Sequence, residues 1–196
     1  MFKCYIKRYI WLFVVLTLAT FSLFFFLGGH YLRPNALAIW GDVGKTVAIV
    51  TFCAVLFEKW MWKLPISLKF LVRIPCLEGL WKGNIRYKMD GCDAVYEKPV
   101  SVEIRQSLFN IMIETKTDES SSRSICASFN IDDSSGLKLL VYSYLNIPKQ
   151  EFRDSSHIHY GSTLFEVGKT EKTMEGYYWT DRKTRGDITI EKVKDQ

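Results

Sequence analysis

The sequence is short of the residues that metal centres, disulfide frameworks and catalytic sites are built from. It has 5 cysteines and 3 histidines in 196 residues. The cysteines (Cys4, Cys53, Cys76, Cys92 and Cys126) are scattered, odd in number and without a C-x-x-C pair. That excludes the usual zinc and disulfide patterns and fits a reducing compartment. His157 and His159 alternate as strand residues do, but no third metal ligand accompanies them. No G-x-S-x-G elbow is present, and the carboxylates fall mainly in turns. The sequence therefore reads as a non-enzyme with no metal and no cofactor. Acid is also scarce in the first part of the chain. Residues 1–76 carry Asp42 and Glu58 against nine Lys/Arg, whereas residues 77–196 carry nineteen acids against seventeen bases. The basic balance thus belongs to the N-terminal segment. It speaks for membrane topology rather than for a groove that binds DNA or RNA polymer.

The stretch "GDVGKTVAIV" (Gly41–Val50) imitates the end of a phosphate-binding P-loop. The motif requires a glycine five positions before Gly44, where Ile39 stands, and a strand before it. An apolar helix explains the stretch better. Tyr9–Leu27 holds no charged residue and is long enough to cross a hydrocarbon core of about 30 Å. A signal peptide is the competing reading, but its apolar core is shorter and ends in a small-residue cleavage site, which "LGGHYLR" does not offer. A second span, Leu37–Phe57, carries Asp42 and Lys45. With "GGHYLRPN" between them the two spans form a helical hairpin. Lys/Arg number three before the first span, one in the loop and four after the second. The positive-inside rule then puts both termini in the cytoplasm. Asp42 and Lys45 share a helix face. Either they pair and snorkel near the interface, or they line a helix–helix contact or a water path in an assembly. "LPISLKFLVRIP" (Leu64–Pro75) reads as a short interfacial helix. The expected domains are a hairpin over 1–62, a linker over 63–76 and a soluble domain over 77–196.

Beyond Cys76 the helical period gives way to short alternating segments bounded by turn residues. Eight strands are expected: Gly79–Met89, Val100–Gln106, Leu108–Lys116, Ser122–Ile131, Leu137–Asn146, Ile158–Val167, Thr173–Thr180 and Gly186–Val193. Only the Gln106-Ser107 junction is tight enough for a close hairpin. Eight antiparallel strands of this kind predict a lipocalin-like up-and-down β-barrel on a membrane-anchored chain. A barrel of that size is either filled or holds one small ligand. Alternation places Trp81, Ile85 and Tyr87 inward. The same holds for Val100, Val102 and Ile104, for Phe109, Ile111 and Ile113, and for Ile125, Ala127, Phe129 and Ile131. Ile188 and Ile190 complete the apolar set. Strands five to seven are polar on one face. Tyr142, Tyr144, His159, Gly161, Thr163, Phe165, Gly176, Tyr178 and Thr180 predict a dry side and an aromatic, hydroxyl-rich side.

Two spans followed by a compact eight-stranded barrel resemble the two-transmembrane β-barrel effectors of bacterial CBASS antiphage systems. The resemblance rests on "EGLWKGNIRY" (Glu78–Tyr87), "LLVYSYLNIP" (Leu139–Pro148), "HYGSTLFEV" (His159–Val167) and "MEGYYWTDRKTRGDITI" (Met174–Ile190), in that order. It implies a barrel that binds a cyclic oligonucleotide, most simply a cyclic dinucleotide, made by a partner cyclase. It further implies homo-oligomer assembly and disruption of the lipid inner membrane, with arrest or death of the infected cell.

A cyclic dinucleotide needs cations for two phosphates and flat surfaces for its bases. On those grounds Tyr87, Arg123, Tyr142, Tyr144, His159, Tyr178, Thr180, Arg182 and Arg185 are the candidate ligand residues, and Asp42 and Lys45 the candidate assembly residues. The arginines have solvated turns as their alternative, the tyrosines and His159 a hydrogen-bonded core, and Trp81 a plug in the barrel floor. A membrane-tethered lipocalin-like carrier and a solid-packed anchor are the competing functions. The first would have an apolar cavity, the second no cavity at all.

Overall fold

A computed structural model describes residues 2–30, 32, 35–64, 74–88, 94–132 and 134–193. The chain divides into two compact units, Met1–Arg73 and Ile74–Gln196.

In the first unit, helix α1 runs Phe2–Leu27 and helix α2 runs Ala36–Lys59. Asn35 caps α2, its side chain accepting from Leu37 N at 3.0 Å. "GDVGKT" lies wholly within α2, so it forms no phosphate loop. Both helices are long and apolar enough to cross a membrane, over Tyr9–Leu27 and Ala36–Lys59. They contact each other through Tyr9, Phe13 and Phe57. Trp11, Val15, Leu18, Leu23, Phe26, Trp40 and Phe52 stay exposed. Apolar surface on every side is what a helix presents to lipid. The interfacial helix expected over Leu64–Pro75 falls mostly outside the described residues.

The second unit is a closed barrel of eight antiparallel strands in sequence order, with the last strand paired to the first. The strands are β1 (Gly79–Lys88), β2 (Val95–Gln106), β3 (Ile111–Lys116), β4 (Ser120–Ile131), β5 (Lys138–Pro148), β6 (His159–Val167), β7 (Thr173–Thr180) and β8 (Arg185–Lys192). All eight expected strands are present. Closure leaves no unpaired edge.

Three local differences matter. Strand β2 begins at Val95 rather than Val100, running straight through Pro99 opposite Asn84. Proline forfeits one ladder donor, which the sequence pattern takes for a strand boundary. The hairpin after β2 is a turn over Ser107–Asn110, closed by Ser107 N to Asn110 O at 2.8 Å. Phe109 therefore sits exposed in a turn rather than inside the barrel. Finally, β4 carries a register shift between Ser124 and Cys126. An extra residue in a strand reverses its alternation. Ser122 and Ser124 point inward on one side of the bulge, and Ala127, Phe129 and Ile131 on the other, while Ile125 is left exposed. The expected "DGCD" turn between β1 and β2 lies outside the described residues.

The interior is divided along the barrel axis, not around its circumference as alternation suggested. One end is dry. Trp81, Val102, Ile104, Ile113, Leu140, Phe165, Met174 and Ile190 are essentially inaccessible there. The segment before β1 plugs that end: Leu77 is buried, its N–H donates to Gln106 Oε1 at 2.8 Å, and Gln106 Nε2 donates to Pro75 O at 2.9 Å. Trp81 Nε1 donates to Leu77 O at 2.8 Å, so the plug and the first strand are tied together. This is the floor plug expected of Trp81.

Because the core is built from residues between Leu77 and Ile190, residues 74–196 are expected to fold without the helices. Trp81→Ala in that fragment should cost about 3–5 kcal/mol by equilibrium denaturation, the range for emptying a buried aromatic site. A loss below about 1 kcal/mol would mean that Trp81 does not hold the closed end.

Candidate ligand chamber

The other end of the barrel is open and polar. A chamber of about 320 Å³ is lined by Tyr87 and Ile85 of β1, Lys98 of β2, Thr115 of β3, Ser120 and Ser122 of β4, and Tyr142, Tyr144 and Asn146 of β5. His159 and Thr163 of β6, Tyr178 and Thr180 of β7, and Ile188 of β8 complete the wall. Phe152, Ser155 and Ser156, from the loop between β5 and β6, reach the mouth, as do Thr117 and Glu119 from the β3–β4 turn and Arg182 and Thr184 from the β7–β8 turn.

Each side chain is placed by a local reason. Tyr142 and Tyr144 are buried inward residues of β5, and the ring of Tyr142 stacks on Phe165 at 6.2 Å. Tyr144 lies against the backbone of β6 at Gly161, where a Cβ would strike its ring. Glycine is used there for close approach rather than for a turn. Asn146 donates through Nδ2 to Ser120 Oγ at 3.0 Å and to Ser122 Oγ at 2.8 Å. Its Oδ1 is buried without a hydrogen-bond partner among the described residues. Arg182 sits on a turn tied to β6 twice. Asp181 N donates to Tyr160 O, and Asp181 Oδ2 accepts from Tyr160 N, both at 3.1 Å. Its Nη1 donates to Ser156 Oγ at 2.9 Å.

The electrostatics favour donors that keep their protons. Desolvation pushes the phenols of Tyr142, Tyr144 and Tyr178 well above the ordinary tyrosine range, so all three remain O–H donors. Burial also lowers the pKa of His159, with the charge of Arg182 acting in the same direction. A backbone carbonyl only accepts, so the 2.9 Å contact between Nδ1 and His157 O puts the proton on Nδ1. Nε2 of the neutral ring is then a bare acceptor.

Of the residues proposed from sequence, the structure brings Tyr87, Tyr142, Tyr144, His159, Tyr178, Thr180 and Arg182 into one chamber. Arg123 and Arg185 lie on the outside. The β4 bulge puts Arg123 out of phase with the inward face that alternation assigned to it. It is exposed, 3.9 Å from Glu114 Oε2. Arg185 has the outward parity of Asp187. Sequence reasoning missed Lys98, Thr115, Asn146 and Phe152. Lys98 was hidden by Pro99, and Phe152 is an aromatic in a loop otherwise read as polar turn. In the helical unit, Asp42 is buried and accepts from Lys45 Nζ at 2.9 Å, with His30 Nε2 at 3.0 Å from its other oxygen. His30, from the hairpin turn, went unnoticed in the sequence.

An up-and-down barrel closed at one end and hollow at the other defines a receptor-type barrel with room for one small ligand. Its particular kind follows from comparison with known proteins. The family described as "Cap15, cyclic dinucleotide receptor domain" matches residues 72–192, and the chain belongs to this family. A CD-NTase-associated protein 15 of Staphylococcus schleiferi is 36% identical over 156 residues, covering 79% of this chain and 81% of that protein. A second protein of that name, from Yersinia aleksiciae, is 31% identical over 141 residues, 70% of this chain and 64% of that protein.

The lowered pKa of His159 has a consequence for stability. Above about pH 6.5 the ring is neutral whether the barrel is folded or not, and nothing is gained or lost. Below it the unfolded chain takes up a proton that the folded barrel resists, so stability falls as pH falls. His159→Asn should flatten the dependence of the unfolding midpoint between about pH 6.5 and 5, measured against the parent fragment. An unchanged slope would show that His159 is not desolvated in solution.

Proposed function

We propose that this chain is a membrane effector of antiphage defence, activated when its barrel binds a cyclic dinucleotide made by a partner cyclase. The observation that carries the reading is the polar half of the barrel in the family-matched domain. It combines three protonated phenols, stackable aromatic rings, and the cations Lys98 and Arg182 at one mouth. Bases stack on rings and phosphates take cations and O–H donors, so the chamber has complementary chemistry for both parts of such a ligand. A lipid carrier would be served by an apolar chamber. The apolar half of this barrel is instead filled by buried side chains such as Trp81, Ile104, Phe165 and Met174.

Two helices from one protomer cannot enclose a pore, so membrane damage requires several protomers. Ligand on the barrel would bias an equilibrium between dispersed and assembled states. The excess of Lys/Arg outside the hairpin turn supports an inner-membrane protein with both termini cytoplasmic. Asp42 is the assembly candidate that the fold qualifies. Its contacts with Lys45 and His30 are made within one chain, so it serves the hairpin first, and an assembly contact would have to be made by the cluster as a unit.

Three outcomes test this. Saturating cyclic dinucleotide should stabilise the folded barrel by about 2.7 kcal/mol at a hundredfold excess over Kd. Arg182→Ala and Tyr178→Ala should weaken that shift without unfolding the free barrel. No shift with any cyclic dinucleotide would end the receptor reading. Vesicles containing the full chain should release a trapped dye when ligand is added, whereas a chain without residues 1–62 should release none. In cells, Asp42→Leu with Lys45→Leu should leave expression, insertion and ligand binding unchanged and alter the rate of ligand-dependent dye uptake. A rate equal to the parent's would leave the pair a purely structural element of the hairpin.

A further inference from the structure

Only two cations line the described wall of the chamber, and they are held differently. Arg182 donates to a neutral hydroxyl, Ser156 Oγ, at 2.9 Å. Lys98 is engaged by a carboxylate: its Nζ is 2.8 Å from Glu119 Oε2. The same ammonium lies over the ring of Tyr87, 4.9 Å from the centroid. Lys98 is the more enclosed partner, with its side chain 26% exposed against 48% for Glu119. Glu119 projects from the tight turn between β3 and β4. That turn is fixed by Ser120 N donating to Thr117 Oγ1 at 3.1 Å and by Lys149 N donating to Glu119 O at 2.8 Å. The backbone of Glu119 is therefore held in place, while its side chain is half in water and bonded only to Lys98 among the described residues.

We infer that Glu119 is a built-in competitor for the ligand phosphate: its carboxylate occupies Lys98 in the empty chamber and is displaced when a phosphodiester of the ligand takes its place. The inference rests on the cyclic dinucleotide reading above and adds to it a residue that sets how much ligand is needed. The charge arithmetic explains why such a device would matter. With His159 neutral, Lys98, Arg182 and Glu119 give the wall a formal charge of +1. A ligand with two phosphodiesters brings −2. With the carboxylate swung outward, two cations face two phosphates. A carboxylate and a phosphodiester oxygen accept from an ammonium in the same way, so the exchange conserves the charge-assisted contact at Lys98. Tyr87 keeps the ammonium at the wall during the exchange, because the ring attracts it whichever anion is present. A ligand without a phosphate at that position must leave the Lys98–Glu119 pair intact or break it without replacement. An uncompensated break of that kind is how a site rejects the wrong ligand.

The test uses the full chain in detergent and a panel of cyclic dinucleotides built from adenine, guanine and uracil, with affinity measured by calorimetry. The tightest of these is then carried through a double-mutant cycle. Glu119→Gln should bind it about 3- to 5-fold tighter, the scale of a partly exposed ion pair. Lys98→Met should bind it about 5- to 10-fold more weakly and with a shallower salt dependence. Lys98→Arg keeps the cation and should retain most of the affinity. The deciding result is the coupling: in a Lys98→Met background, Glu119→Gln should add nothing. If Glu119→Gln is neutral or weakens binding, or if its gain persists without Lys98, the competition is refuted while the receptor reading stands. If the parent chain binds no member of the panel, the receptor reading falls and this inference falls with it.

Discussion

Trp81 is completely buried where the first strand enters the barrel, and its indole N–H is held by Leu77 O just ahead of that strand. The rest of the barrel unit is built on this closed end. An eight-stranded barrel encloses too little volume to hold both a dry core and a ligand side by side. The division is therefore made along the axis. Leu77, Trp81, Ile104, Leu140, Phe165, Met174 and Ile190 fill one half and are almost wholly inaccessible to solvent. The other half does not have to be dry, and it is lined by hydroxyls, an amide and charges alongside the tyrosine rings that join the core.

The chamber shows how burial without charge prepares a site for an anion. Desolvation keeps the three phenols protonated and His159 neutral, so the wall carries several donors and only one excess positive charge. Donors of this kind cost little in an empty chamber that water can reach, whereas a cluster of bare cations would repel itself. Arg182 reaches the mouth from a turn, where it donates to Ser156, and Lys98 from a strand, where it meets Glu119. The polar contacts among Asn146, Ser120 and Ser122 tie β4 to β5 near the mouth.

In the helical unit the dominant feature is the buried carboxylate of Asp42. A charge in a helix this apolar is expensive unless paired. Here it is met by Lys45 from the next turn of its own helix and by His30 from the hairpin turn. Thr46 adds a hydroxyl bonded to the carbonyl of Asp42 at 2.8 Å. The cluster ties the turn to the second helix. It also explains why a stretch that imitates a nucleotide-binding loop is a helix with a charged face.

The sequence by itself determined the large features. Uncharged length sets the two helices, and strict alternation and regular turns set eight strands. Polar inward positions on β5, β6 and β7 mark five of the seven proposed ligand residues that line the chamber, with Tyr87 on β1 and Arg182 on the β7–β8 turn as the other two. These are local properties, readable because side-chain direction follows from period alone while the backbone stays regular. Tertiary structure decided what an irregular backbone or a distant partner controls. The bulge at Ser124/Cys126 sends Arg123 and Ile125 outward, a reversal that no count of residues reveals. Pairing of β2 with β1 carries the strand through Pro99 and so delivers Lys98 to the chamber. The wet and dry halves are set by which ends of eight separate strands come together. The hold of Glu119 on Lys98, and of His30 on Asp42, joins residues that lie far apart in the chain, and only folding measures distances of that kind.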